Sequence, residues 1–202
     1  MSGANVDIAV VVLAAGEARR FGRAKQLALL DGAPMVRRAA IAALRTGARV
    51  AVVTGAYREE VETTLRDLPL GRVYNADWAS GMGGSIAAGI AWLDALEPIA
   101  SAAIVALADQ PRIGAAELLE LIRAHREDAT SIVAARYGEI TGPPCLFPRR
   151  YFAELKALAS HLGARSLVER HAAAVRTLAM PAGAIDIDTR EDYVRLVGEE
   201  PD

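Results

Sequence analysis

The chain is poor in cysteine, lysine, histidine and aromatic rings, and each shortage narrows what it can be. One cysteine, Cys145, permits no internal disulfide, which fits a reducing compartment and leaves stability to a packed core. Three histidines, at 125, 161 and 171, show no metal-ligand spacing. A net charge of −2 and a pI of about 6.0 give the molecule no overall field for gripping nucleic acid, so any bound anion must be held by a local cluster. No apolar run reaches membrane-spanning length, because Ile8 to Ala15 is about half of what a spanning helix needs. The opening MSGANVD lacks a basic region followed by an apolar signal segment, so a soluble cytoplasmic protein without a membrane partner is expected. What the chain has in quantity is aliphatic: 52% of its 202 residues are hydrophobic although only 5% are aromatic. That is enough for one sizeable core, and no repeat, low-complexity tract or linker interrupts it, so residues 1–202 are expected to form a single domain.

Periodicity alternates between two kinds of segment. Continuous β-branched runs at 8–15, 49–55, 102–109 and 131–138 read as strands covered on both faces, with a shorter strand at 71–75. Between them, amphipathic stretches beginning at Pro34, Tyr57, Ser85 and Gly114 read as helices. Beyond Gly138 the rhythm loosens. GPPCLFP (142–148) reads as an extended excursion, 149–161 and 164–172 as short helices, 175–181 and 184–188 as strands, and 189–198 as a last helix. Strand alternating with helix at this spacing predicts a three-layer α/β/α sandwich around a mostly parallel, Rossmann-like sheet. Ligands in such sheets gather beyond the carboxyl ends of the strands.

The first strand runs into LAAGEARRFGRAK, which carries Arg19, Arg20, Arg23 and Lys25 within seven residues. Gly16 to Gly22 does not supply the G-x-G-x-x-G of a dinucleotide site, and Lys25 followed by Gln26 does not complete a Walker loop. The remaining reading is an anion clamp, with Gly16 admitting a ligand close to the backbone and Arg20 and Lys25 reaching round its phosphates. A solvated charged face is the alternative, and it suits Arg19 and Arg23. Lys25 stands apart: of 23 basic residues only it and Lys156 are lysine, so a compact ammonium here fits a point charge on phosphate.

LAAGEARRFGRAKQL resembles the signature of the molybdopterin nucleotidyltransferases, L-A-A-G-x-S-x-R-x-G-x-x-K, and more narrowly that of the molybdenum cofactor cytidylyltransferases, which carry alanine at the position of Ala15. The resemblance implies a single nucleotidyltransferase domain with a nucleotide-binding half at about 1–110 and an acceptor-binding half at about 111–202. It implies contact of Leu13, Ala14, Ala15 and Gly16 with base and sugar, and of Arg20 and Lys25 with the triphosphate. The family's serine is Ala18 here, so one hydroxyl is missing.

A triphosphate calls for a divalent cation with oxygen ligands. Asp109 ends an apolar strand at the ligand edge, and by spacing alone it could equally form a turn. Followed by Gln110 and Pro111, it matches the family's D-Q-P, whose aspartate binds magnesium. In AIDIDTREDY a strand would put Asp186 and Asp188 on one face, although Asp188 could instead cap the last helix. The resemblance to D-x-D-T-x-E-D makes Asp188 the second Mg²⁺ ligand. In NADWASGMGGSIAAG the glycines precede a helix start, where free N–H groups face outward; the family's G-M-G-x-S assigns nucleotide or pterin contact to Gly81 and Ser85.

The acceptor motifs match in part. The family's G-H-P is Gly142-Pro143-Pro144 here, and its G-D-x-G-A-R is Ser160-His161-Leu162-Gly163-Ala164-Arg165, leaving Gly142 and Arg165 as the acceptor contacts. The implied reaction is transfer of CMP from CTP to the phosphate of molybdopterin, with Lys25, Arg20 and Asp109 catalytic, Mg²⁺ as cofactor, and a molybdoenzyme as receiver of the product. A GTP-using enzyme, another phosphorylated acceptor, or a non-catalytic nucleotide carrier remain the alternatives.

Overall fold

The computed structural model describes residues 7–198. In chain order its strands are β1 (Ile8–Ala14), β2 (Leu29–Leu30), β3 (Ala33–Pro34), β4 (Arg49–Thr54), β5 (Gly71–Tyr74), β6 (Ala102–Leu107), β7 (Ile132–Tyr137), β8 (Ile140–Pro148) and β9 (Val175–Ala179). Its α-helices are α1 (Met35–Leu44), α2 (Arg58–Thr64), α3 (Met82–Asp94), α4 (Ala115–Glu127), α5 (Phe152–Lys156), α6 (Ala164–Arg170) and α7 (Arg190–Val197).

Every residue of β1 is buried, as its unbroken apolar run predicts. It lies between β4 and β6, parallel to both, with Val10 level with Val50 on one side and Ile104 on the other. The seven-stranded sheet has the order β5-β4-β1-β6-β8-β7-β9, and the short β2 and β3 pair separately. Alternate residues of β1 feed two cores. Val10 and Val12 pack with Val36 and Ala40 of α1 and with Leu118 and Leu121 of α4. Ala9, Val11 and Leu13 pack with Ile86 and Ile90 of α3, Leu155 of α5 and Leu167 of α6. A third, smaller core joins Phe21, Leu30, Met35, Ile187 and Tyr193, tying the loop after β1 to the last helix. Among the described residues, no helix is long and apolar enough to cross a membrane.

Helix and sheet approach tightly at Gly89, where a Cβ would sit 2.4 Å from Val11 Cγ1. Overpacking of this kind shifts backbone or forces rotamers at a cost of about 1–3 kcal/mol. Gly89→Val is therefore expected to lower the unfolding free energy by an amount in that range, read as a fall in the urea midpoint at unchanged slope, and an unchanged midpoint would show that α3 can back away freely.

Two expectations fail. Residues 142–148 are no excursion: they belong to β8, which inserts between β6 and β7 and runs antiparallel to both. Prolines disguise it. Ala134 pairs with Cys145 while Ala135 pairs with Gly142, so Pro143 and Pro144 fall in a β-bulge where no ladder N–H is required. Residues 184–188 form no strand: a 3-10 turn over Pro181–Ala184 leads into irregular chain. The alternation there serves a different end, because Ile187 is wholly buried in the third core and its N–H donates to the Asp109 carbonyl at 3.1 Å. In addition, α3 starts at Met82 rather than near Ser85.

Candidate active site

The loop leaving β1 is held by a residue that the motif reading did not single out for a role. Gln26 is 4% exposed, and its Nε2 donates to the carbonyls of Ala14 (3.0 Å) and Gly16 (2.6 Å). Its Oε1 is buried without a partner. This amide replaces the ladder bonds that end with β1 and fixes the turn in which Gly16 has open space beside it. Across from it, α3 starts at Met82 behind its N-cap Gly81 with no side-chain cap, and of its first-turn N–H groups that of Gly83 donates to the Ser160 carbonyl. Gly81 has φ +132°, and a Cβ there would come within 2.3 Å of the Ser160 carbonyl. Only glycine fits that backbone and that contact.

Loop and helix start enclose a cavity of about 270 Å³ at the carboxyl ends of β1 and β6. Leu13, Ala14, Ala15, Gly16, Lys25, Gly81, Ser85 and Asp109 line it, so eight residues singled out from the sequence share one wall. Trp78, Met82 and Leu107 add apolar surface. Trp78 and Met82 lie inside the quoted 75–89 stretch, but nothing in their spacing distinguished them from packing residues. The Ser85 hydroxyl is buried and accepts from Asn75 Nδ2 at 3.0 Å, so Ser85 buttresses the helix start rather than capping it.

Charge converges at the mouth of this cavity. The Lys25 ammonium lies 2.8 Å from Asp109 Oδ2 and 2.9 Å from Asp188 Oδ1, with its side chain 14% exposed. Arg20 completes the group through Asp188 Oδ2 at 2.6 Å. Burial pulls the Lys25 pKa down, but the two carboxylates outweigh it and hold it above the ordinary lysine value. Burial works the other way on Asp188, and Lys25 and Arg20 together keep its pKa below the usual aspartate range. Lys25 is thus a fixed cation. Asp188 is free for this pairing because Thr189, not Asp188, caps α7: the Asp192 N–H donates to Thr189 Oγ1, and the Thr189 N–H donates to Asp192 Oδ2.

The donor set suits a hard divalent cation. Asp109 Oδ1 is buried and unpartnered while Oδ2 faces Lys25. Among the described residues no three His, Cys, Asp or Glu side chains gather tightly enough to hold a metal alone. Two carboxylates completed by substrate phosphates are the arrangement that Mg²⁺ commonly uses.

Gly142 and Arg165 do not line the cavity. Gly142 sits in β8 beneath the Tyr137 hydroxyl, and Arg165 is exposed, paired with Glu169 at 2.7 Å. Asp186 is an exposed residue whose carboxyl is pushed up to about 6 by partial burial and by the charges of Asp109 and Asp188. A carboxyl raised this way is protonated more readily in the folded chain, so its contribution to stability is present at pH 4 and is lost as pH rises through about 6. Removing the charge should therefore help only at the higher pH. In chelator, Asp186→Asn is expected to gain about 1 kcal/mol over the parent at pH 7.5, a figure discounted for solvent screening, and nothing at pH 4. Equal effects at both pH values would contradict it.

Comparison with known proteins bears on the family and the fold. Residues 10–175 match the MobA-like NTP transferase domain. Nicotine blue oxidoreductase of Paenarthrobacter nicotinovorans is 36% identical over 138 residues, which are 67% of this chain and 65% of that protein's length. A homologue of Mycobacterium tuberculosis Rv0371c from Mycobacterium sp. strain JC1 superposes with a TM-score of 0.83 at 28% identity, over 96% of this chain and 97% of the other. Rv0371C of M. tuberculosis H37Rv in complex with manganese gives 0.77 at 28% identity, over 96% and 99%. The matched stretch, which spans most of the chain, and the shared fold identify it: the chain belongs to the MobA-like NTP transferase family.

Proposed function

We propose that this chain transfers CMP from CTP to the terminal phosphate of molybdopterin, releasing pyrophosphate. The observation that carries the reading is the Lys25 ammonium lodged between Asp109 and Asp188 at the mouth of the Gly16 cavity. Asp109 and Asp188 would hold Mg²⁺, which when bound would neutralise charge on the triphosphate. The base and sugar lie against Leu13, Ala14, Ala15 and Gly16, with the apolar surface of Trp78 and Leu107 opposite. Choice of cytosine rests on the resemblance at Ala15.

A phosphomonoester oxygen of the acceptor attacks the α-phosphorus in line, and the bond to the β-phosphate oxygen breaks. The acceptor oxygen is ionised near neutral pH, so the protein needs no strong base; its task is positioning and charge stabilisation. Lys25 and Arg20 meet the negative charge that builds toward pyrophosphate, and the N-terminus of α3, which carries no side-chain cap, lies on the same cavity through Gly81 and Met82. In the nucleotide-free chain Lys25 balances two carboxylates; with nucleotide present it turns to phosphate. On the acceptor side the family's histidine and aspartate are Pro143 and His161, so Gly142 and Arg165 are the remaining acceptor contacts in this reading. A molybdoenzyme is the receiver that such a product implies.

Pyrophosphate release with Mg²⁺, each of the four NTPs and molybdopterin tests the proposal. CTP with molybdopterin is expected to be fastest. Fastest release with GTP would move the chain to the guanylyl branch, and tight nucleotide binding without pyrophosphate from any pairing would make it a carrier.

A further inference from the structure

Asp188 is held in place without a strand. The chain from Met180 to Thr189 is irregular apart from one 3-10 turn, so no sheet ladder sets its carboxylate against that of Asp109. Two hydrogen bonds to the end of β6 do so instead. The Ile187 N–H donates to the Asp109 carbonyl at 3.1 Å, and Gln110 Nε2 donates to the Gly183 carbonyl at 3.1 Å. Nε2 also donates to the Pro143 carbonyl, again at 3.1 Å, in the bulge of β8. Gln110 therefore joins three pieces of chain: the strand end that carries Asp109, the turn leading to Asp188, and the bulge beside Gly142.

Three observations distinguish this amide from ordinary polar filling. Gln110 is 3% exposed, so water cannot stand in for either bond. Gly183 is fixed from its other side as well: a Cβ there would lie 2.8 Å from Tyr137 Cδ1, and its N–H donates to the Met180 carbonyl at 2.9 Å. The Oε1 of Gln110 is buried without a partner, an unsatisfied acceptor that the fold carries at a cost in stability. The amide thus spends its donors on the segments that carry the site and gains nothing at its acceptor. We infer that Gln110 is a positioning residue, whose amide sets the separation of the Asp109 and Asp188 carboxylates and with it their affinity for a divalent cation. That separation is narrow, because the Lys25 ammonium reaches both carboxylates at 2.8 and 2.9 Å. A cation of Mg²⁺ type tolerates little departure from its preferred oxygen geometry. Buried as it is, Gln110 acts through the carboxylates and not on substrate. The inference rests on the reading of Asp109 and Asp188 as metal ligands, and not on which nucleotide or acceptor is used.

The test is a Mn²⁺ titration of the nucleotide-free chain, followed by loss of the free-ion EPR signal, at a temperature where each variant is folded by circular dichroism. Gln110→Met keeps the volume of the side chain and removes both donors; Gln110→Leu is the second variant should the first not fold. Either is expected to weaken Mn²⁺ binding about tenfold, the usual scale for a group that orients a metal ligand. Hydrogen exchange at the Ile187 N–H is expected to quicken relative to that of Val11 in β1. In an Asp188→Asn background the same substitution is expected to weaken binding by less than about twofold, because the carboxylate it positions is already gone. A parental Mn²⁺ midpoint in the folded variants would overturn the inference. So would an equal loss in the Asp188→Asn background, which would make Gln110 a general support of the fold. A parent chain that binds no Mn²⁺ would overturn it together with the assignment of the two ligands. Pyrophosphate release enters none of these readouts, so failure of CMP transfer with every NTP would strike the proposed reaction and leave the positioning role standing.

Discussion

Lys25→Ala is expected to slow pyrophosphate release by about two to three decades, the usual loss when one preorganised charge is removed from a transition state. A second effect separates this cause from simple unfolding. The ammonium sits within 3 Å of both Asp109 and Asp188 and is the cation that balances them in the free chain. Without it the two carboxylates face each other unpaired, so Mn²⁺ should bind the nucleotide-free variant more tightly than the parent. Lys25→Arg is not expected to rescue the rate, because a planar fork cannot occupy a gap shaped to a compact ammonium. Near-parental turnover in Lys25→Ala would remove the electrostatic account altogether. Loss of both turnover and Mn²⁺ binding would show that the lysine merely holds the site together.

Asp109→Asn should cost a similar two to three decades, and it should weaken rather than strengthen Mn²⁺ binding. The substitution is nearly isosteric, and Asp109 is held by more than its side chain: its carbonyl accepts from the Ile187 N–H, and the next residue is anchored to Pro143 and Gly183. Folding should therefore survive, which a parental melting temperature would verify. The change removes one of the two charges that keep the Lys25 ammonium protonated and fixed, so the loss should appear mainly in kcat. A rise in KM with kcat unaltered would instead mean that Asp109 only helps to hold nucleotide.

The parts of the architecture that could be read in advance are those where burial imposes a period. β1 is covered on both faces, so its residues had to be apolar without interruption; α4 is covered on one, so its residues had to alternate around the helix. The charged cluster was legible for another reason. Asp109 ends an aliphatic strand at the ligand edge, Lys25 is one of only two lysines among 23 basic residues, and Asp188 stands in the stretch that resembles the family's D-x-D-T-x-E-D. β8 was not legible, because two prolines ordinarily exclude a central strand and only its bulge accommodates them. The 184–188 segment carried a strand's alternation without a strand's partners, since its buried isoleucine fills a small core and a single backbone bond goes to Asp109. Gln26 left no periodic trace: a buried amide holding two carbonyls looks, in sequence, like any polar loop residue.

The contact at Gly81 has an evolutionary corollary. The Gly83 N–H donates to the Ser160 carbonyl at 2.9 Å, and Gly83 itself lies against the Ala159 carbonyl so tightly that a Cβ would approach it to 2.4 Å. The turn that opens α3 and the segment carrying His161 are therefore welded, and neither can drift alone. A lineage that retunes what the enzyme modifies must do so by exchanging exposed side chains on an immobile seam, because insertions or bulkier residues along it would disturb the nucleotide end in the same stroke.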